Sequence, residues 1–154
     1  MKALQAMTRD IICIHPEDGL EAAHDIMGEW DIRHLPVVDE DGRLVGILSD
    51  RDILLHSTQG VRGEWDVEEV DVSEVMTANP TTCTPNDTIA HIATVMTDKK
   101  ISSLPVVEAD GDLVGLITST DLLELLKERD ILDSSRTIPW TYQLKFREGR
   151  GREI

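Results

Sequence analysis

The stretch RHLPVVDEDGRLVGILSDRDIL at residues 33–54 returns as SSLPVVEADGDLVGLITSTDLL at residues 102–123. Widened, residues 7–54 lie over 76–123 without a gap at a constant offset of 69, and 17 of 48 positions are identical. The identities cluster: Leu35-Pro36-Val37-Val38 over Leu104-Pro105-Val106-Val107, Asp41-Gly42 over Asp110-Gly111, and Leu44-Val45-Gly46 over Leu113-Val114-Gly115. An internal duplication governs the architecture before any single element does. Each copy is about 50 residues long, a size at which a lone core is marginal, so the two copies are expected to share one.

Both copies read alike. Asp18 is placed to cap a helix, with Glu21 completing a capping box, and Leu20, Ala23, Ile26, Met27 and Trp30 follow at helical spacing. In the second copy Asp87 takes the capping role, ahead of Ile89, Ile92, Ala93 and Met96. A strand over Leu35–Val38, an Asp-Gly turn and a strand over Leu44–Leu48 predict a hairpin. A last helix begins near Ser49 and near Thr118, with Leu122, Leu123, Leu125 and Leu126 on its apolar face. Extended segments ahead of Pro16 and Pro85, at Ile11–Ile14 and Thr81–Thr84, supply a further strand. The order is strand, helix, strand, strand, helix, twice over. The divisions are 1–60 for the first repeat, 61–75 for an acidic, solvated linker, 76–130 for the second repeat and 131–154 for a tail.

Charge narrows the function. The 154 residues hold 15 Lys+Arg against 30 Asp+Glu, a net charge of −15. That balance speaks against a nucleic acid or an anionic membrane as partner, because affinity for either comes mainly from cations. The apolar runs are too short for a bilayer, the first ten residues hold no apolar signal core, and two cysteines make no disulfide framework; a cytoplasmic protein is expected. Cys13 and Cys83 lack a second ligand at metal spacing, so no metal site is expected. Ser49, His34 and Asp52 could be drawn as a hydrolase triad, but no nucleophile elbow surrounds the serine and Ser103 stands at the histidine's position in the second copy.

The strongest chemistry follows the second hairpin strand, as Gly46-Ile-Leu-Ser49-Asp-Arg51-Asp52 and Gly115-Leu-Ile-Thr118-Ser-Thr-Asp121. A glycine there lets a ligand approach the backbone. The hydroxyl sits where a helix begins, beside free N–H groups that favour an anion, and the carboxylate one turn on can accept from both hydroxyls of a ribose. The same residues also satisfy a plain capping box. Recurrence in both copies favours the ligand.

The duplicated MT…P…LPVV…DG.LVG..[ST]..D pattern resembles the cystathionine-beta-synthase (CBS) domain, and two in tandem resemble a Bateman module. The resemblance covers about residues 3–127. It implies an α/β fold of two β-α-β-β-α repeats, related by a pseudo-twofold axis and packed through their sheets, with helices that mediate a homodimer. It also implies clefts between the repeats for adenine nucleotides and related adenosyl compounds, of the AMP, ATP, NAD and S-adenosylmethionine class. Matching positions place Ile32, Arg33, His34, Pro36, Ser49, Arg51 and Asp52 in one cleft, and Ile101, Ser102, Ser103, Pro105, Thr118 and Asp121 in the other. Thr8, Thr77 and Thr81 on the entry strands are further candidates. Arg33, His34 and Arg51 face Ser102, Ser103 and Thr120 in the alignment, so the first cleft is expected to hold phosphate and the second to accept neutral or cationic ligands.

The functional expectation is a non-catalytic regulatory module, with no cofactor beyond its regulatory ligand, that signals to an unidentified effector protein by changing conformation. The alternative is a structural dimerisation module with empty clefts. Beyond the repeat, Ile138, Trp140, Tyr142, Leu144 and Phe146 alternate with polar residues, and residues 134–154 carry five Lys/Arg against two acids. That pattern predicts an ordered strand docked on an acidic body.

Overall fold

A computed structural model of the chain describes residues 1–59 and 70–128. The elements are a short 3-10 turn at Ala3–Gln5, α1 (Leu20–Trp30), β1 (His34–Val38), β2 (Leu44–Ser49) and α2 (Asp50–Gln59), then α3 (Val72–Val75), β3 (Thr77–Ala78), α4 (Ile89–Lys99), β4 (Ser103–Val107), β5 (Leu113–Thr118) and α5 (Ser119–Glu128). The tail from 131 onward, with its expected strand, lies outside the described residues, as do 61–69 of the acidic stretch.

Each hairpin forms as the Asp-Gly turn requires. β1 pairs antiparallel with β2 from His34↔Ser49 to Val38↔Leu44, and β4 pairs with β5 from Ser103↔Thr118 to Val107↔Leu113. Gly42 and Gly111 take φ of 79° and 92°, values that cost an L side chain strain. Asp39 Oδ1 accepts from Asp41 N and Arg43 N and so closes the first turn. The segments before Pro16 and Pro85 do not become full strands. Each makes a single parallel bridge, Ile14↔Val37 and Cys83↔Val106.

The helix caps differ from expectation by one residue. Asp18 Oδ2 accepts from His15 N at 2.9 Å and Asp87 Oδ2 from Thr84 N at 2.7 Å, so these carboxylates close the preceding turn. Local bonds of this kind compete with capping. The N-caps are Gly19, which offers no side chain, and Thr88, whose hydroxyl accepts from His91 N at 3.2 Å. Both helices end on a left-handed residue, Asp31 (φ 51°) and Lys100 (φ 55°), at equivalent positions.

Two cores form rather than one shared core, and each takes a contribution from outside its own repeat. Leu20, Ala23, Met27, Leu35, Val37, Leu48 and Ile53 cluster with Val72, which follows the first repeat. Ile92, Met96, Leu104, Val106 and Ile117 cluster with Ala3, at the far N-terminus. The backbone shows the same exchange: β3 pairs with β2 through Gly46↔Ala78 and Ile47↔Thr77, while Thr8 bridges Leu116 of β5. Residues 70–75, inside the acidic stretch, are therefore packed, with Val72 fully buried in α3. Through this crossing each marginal repeat gains buried apolar area that its own 50 residues lack.

Trp30, read as part of the buried stripe, is 60% exposed. At about 100° per residue it falls between Ala23 and Ile26, inside the apolar arc, so its exposure comes from its place as the last residue of α1, where left-handed Asp31 ends the helix. Leu123 and Leu126 on α5 are also exposed, whereas Leu122 packs against the second core.

Candidate functional site

The Ser/Thr-x-x-Asp motif folds as a reciprocal cap in both repeats. Asp52 Oδ2 accepts from Ser49 N at 2.9 Å, and Ser49 Oγ accepts from Asp52 N at 3.1 Å. Asp121 Oδ2 accepts from Thr118 N at 2.7 Å and from the Thr118 hydroxyl at 2.9 Å, while Asp121 N donates to Thr118 Oγ1 at 3.3 Å. Capping and ligand binding thus do not exclude one another. Oδ2 holds the carboxylate in place, and Oδ1 carries no hydrogen bond among the described residues. A carboxylate has about four acceptor positions, enough to serve its cap and two ribose hydroxyls.

Each cap opens onto a cleft. One, of about 570 Å³, holds Thr118 and Asp121 together with Thr8, Ile32, Arg33, His34 and Ser102. The other, of about 530 Å³, holds Ser49, Arg51 and Asp52 together with Thr77, Thr81, Ile101, Ser102 and Ser103. Both volumes fall in the range of small-molecule sites. The residues expected to line the two clefts are therefore regrouped. Each hydroxyl–carboxylate pair faces the loop that precedes the first hairpin strand of the other repeat, because the hairpins lie side by side. A backbone bridge from Arg43 to Asp112 and a 3.2 Å contact from Ser102 Oγ to His34 Nε2 join them. Arg33, His34 and Ser102 form a wall common to both clefts.

Pro36 and Pro105 line neither cleft. Both are fully buried in the hairpin cores, where a residue without an N–H is tolerated on the strand. Gly46 and Gly115 also need a different explanation from ligand approach. A Cβ at 46 would overlap the Met76 thioether and one at 115 the Met7 thioether, so these glycines admit the crossing segments. Additional lining residues are Asp10, Ile11, Ile12, Asp31, Leu116 and Ser119 in the Asp121 cleft, and Ile47, Asp50 and Lys100 in the Asp52 cleft. One signal for them lay in the alignment, since Asp31 and Lys100 occupy equivalent positions just ahead of Ile32 and Ile101.

Burial lowers the His34 pKa below its ordinary value; Asp50 and Asp52 oppose that shift and Arg33 adds to it. The imidazole is thereby kept neutral near pH 7, free to hold the Ser102 hydroxyl. Burial pushes the Cys83 thiol up to about 11, with the Asp87 charge adding to it, and Cys13 also shifts up. Among the described residues no three His, Cys, Asp or Glu side chains converge as metal ligands, and no helix is long and apolar enough to cross a membrane.

Two repeats of mixed helix and sheet, each completing the other and enclosing two composite clefts, define a tandem-repeat architecture. The CBS domain profile matches residues 2–58 and 72–128, and the chain belongs to that family. It is 33% identical over 134 residues to a CBS domain-containing protein of Dictyostelium discoideum, covering 82% of this chain and 92% of that one. The CBS domain pair of protein MJ0100, in complex with 5′-methylthioadenosine and S-adenosyl-L-methionine, superposes with a TM-score of 0.74 at 30% identity, over 83% of this chain and 97% of that one. CBSX2 in complex with AMP gives a TM-score of 0.75 at 25% identity, over 84% and 98%. Other relatives carry enzyme names, and this chain spans only 23% of the length of two of them.

Proposed function

We propose that the chain is a non-catalytic sensor that binds adenosyl ligands in its two composite clefts and passes occupancy to a separate effector protein through the relative orientation of the repeats. One observation carries this reading: the same hydroxyl–carboxylate cap opens onto each of two clefts of similar size, built by both repeats. Asp52 and Asp121 would each hold a ribose, with Ser49 and Thr118 beside it. Ile32 and Ile101 offer apolar surface for the base, Ser102 offers a polar contact in both clefts, and Thr81 and Ser103 add polar contacts in the Asp52 cleft. The AMP, 5′-methylthioadenosine and S-adenosylmethionine held by similar CBS pairs support this ligand class. Because each cleft takes residues from both repeats, a ligand that prefers one orientation shifts the population toward it.

A second copy of the chain completes the assembly in this reading. Leu54 and Leu123 are equivalent positions, and both are exposed, as are Leu55 and Leu126. The apolar surface thus repeats across the pseudo-twofold, the form that a twofold homodimer buries. The unpaired thiols Cys13 and Cys83 suit a reducing compartment such as the cytoplasm.

Thermal melts with AMP, ATP, NAD and S-adenosylmethionine test the function. A ligand of the folded state raises the melting temperature as its concentration passes Kd, and at 100 times Kd adds about 2.7 kcal/mol. Flat melts with all four would leave a dimerisation module with empty clefts.

A further inference from the structure

The two clefts carry opposite fixed charge although the repeats that build them are homologous. In the Asp121 cleft three carboxylates, Asp10, Asp31 and Asp121, face one guanidinium, Arg33. In the Asp52 cleft two carboxylates, Asp50 and Asp52, face three cations, Arg33, Arg51 and Lys100. Much of the difference comes from two substitutions between equivalent positions: Asp31 against Lys100, and Thr120 against Arg51. Neither Asp10 nor Asp31 makes an ion pair among the described residues, so their charge is available to an occupant.

We infer that the Asp52 cleft selects a phosphorylated adenosyl ligand, that the Asp121 cleft selects one with a positive centre such as a sulfonium, and that Arg33, common to both walls, makes the two bind cooperatively. This deepens the proposed function and rests on it. A phosphate in the Asp52 cleft is met by Arg51 and Lys100 and draws the Arg33 guanidinium toward itself, since bidentate pairing outweighs solvation of an exposed arginine. The same movement removes the one fixed positive charge that the described residues place in the Asp121 cleft and leaves its three carboxylates to a cation. Two phosphorylated ligands, by contrast, compete for one guanidinium. The coupling is reciprocal: each ligand strengthens the other by the same factor. Because Arg33 is exposed, the factor is modest, about fivefold at low salt, and shrinks as ionic strength rises.

The test is calorimetry on the full chain with AMP and S-adenosylmethionine as probes. Asp52→Ala is expected to abolish AMP binding and keep S-adenosylmethionine binding, and Asp121→Ala to do the reverse. Saturating AMP tightens S-adenosylmethionine about fivefold, and Arg33→Gln, saturated with AMP, removes that gain. Asp31→Lys weakens S-adenosylmethionine, and Lys100→Asp weakens AMP. Both exchanges are tolerated by the backbone, because the left-handed position at φ 51° or 55° already holds the other residue type in the other repeat. Loss of both ligands in the same single variant, competition between them, no tightening by AMP, or a tightening that survives Arg33→Gln each overturns the inference while leaving adenosyl binding intact. No binding of either probe, together with flat melts, overturns the proposed function and this inference with it.

Discussion

Replacing Gly115 by alanine tests the exchange of segments between repeats, which builds the wall of the Asp121 cleft. The added Cβ would lie 2.9 Å from Met7 Cγ and 3.1 Å from Met7 Cβ. Carbon atoms in good contact stand about 3.5–4.0 Å apart, so Met7 must retreat by about half an ångström or more. Its thioether end can swing, but its Cβ is fixed to a backbone that Thr8 anchors to Leu116 by hydrogen bonds of 2.9 and 3.0 Å. Overpacking of this kind costs about 1–3 kcal/mol. With a urea slope of about 1.5 kcal/mol per M, a loss of about 2 kcal/mol lowers the unfolding midpoint by about 1.3 M. Met7→Ala in the same chain relieves most of the clash, so the double variant should lose less than the sum of the singles by about 1 kcal/mol. Gly46→Ala should cost a similar amount, since its Cβ would meet the Met76 thioether and, at 3.1 Å, the Thr77 backbone oxygen, which cannot swing aside as a side chain can. The reasoning fails if Gly115→Ala unfolds within about 0.5 kcal/mol of wild type, or if the two single effects simply add.

Other perturbations probe other parts of the account. His34 binds its proton less readily folded than unfolded, so the unfolded state holds more protons below about pH 6.5 and stability falls as pH drops through that value; melting curves from pH 8 to 5 should show this slope, and His34→Gln should flatten it. Cys83 is buried and its thiol is pushed up to about 11, so a thiol reagent at pH 8 should modify it only in denaturant, as followed by mass spectrometry. Val72→Ala should cost about 2 kcal/mol in urea unfolding, because Val72 is fully buried in the first core; a shift typical of an exposed linker contradicts the packing of α3. Leu123→Glu with Leu126→Glu should turn the proposed dimer into a monomer by light scattering at micromolar protein, and a wild-type chain already monomeric there removes the dimer.

The duplication was sufficient to derive the hairpins and the long helices, because each signal there is local: alternation, an Asp-Gly turn, apolar residues at helical spacing. What it did not yield depends on contacts distant in sequence. Met7 and Met76 head the aligned repeats, and Gly46 and Gly115 are identical, yet nothing in one dimension says that each methionine fills the other repeat's glycine. For the same reason the alignment groups the candidate residues by repeat, whereas the clefts draw on both. Asp52 and Asp121 were recognisable by their one-turn spacing from a hydroxyl. Asp10 is not, because an acid in a loop of an acidic chain resembles ordinary surface charge until the cleft places it; Asp31 is marked only by its equivalence to Lys100. Asp18 and Asp87 failed as caps through competition with a local turn bond, a choice between two favourable partners that spacing alone does not decide.

The claim that two composite clefts each hold one adenosyl ligand on one carboxylate is tested most directly by equilibrium dialysis to saturation with AMP and S-adenosylmethionine together. The account predicts two adenosyl ligands per chain for the wild type, one for Asp52→Ala, one for Asp121→Ala and none for the double variant. Two per chain in the double variant, or none in the wild type, would contradict it.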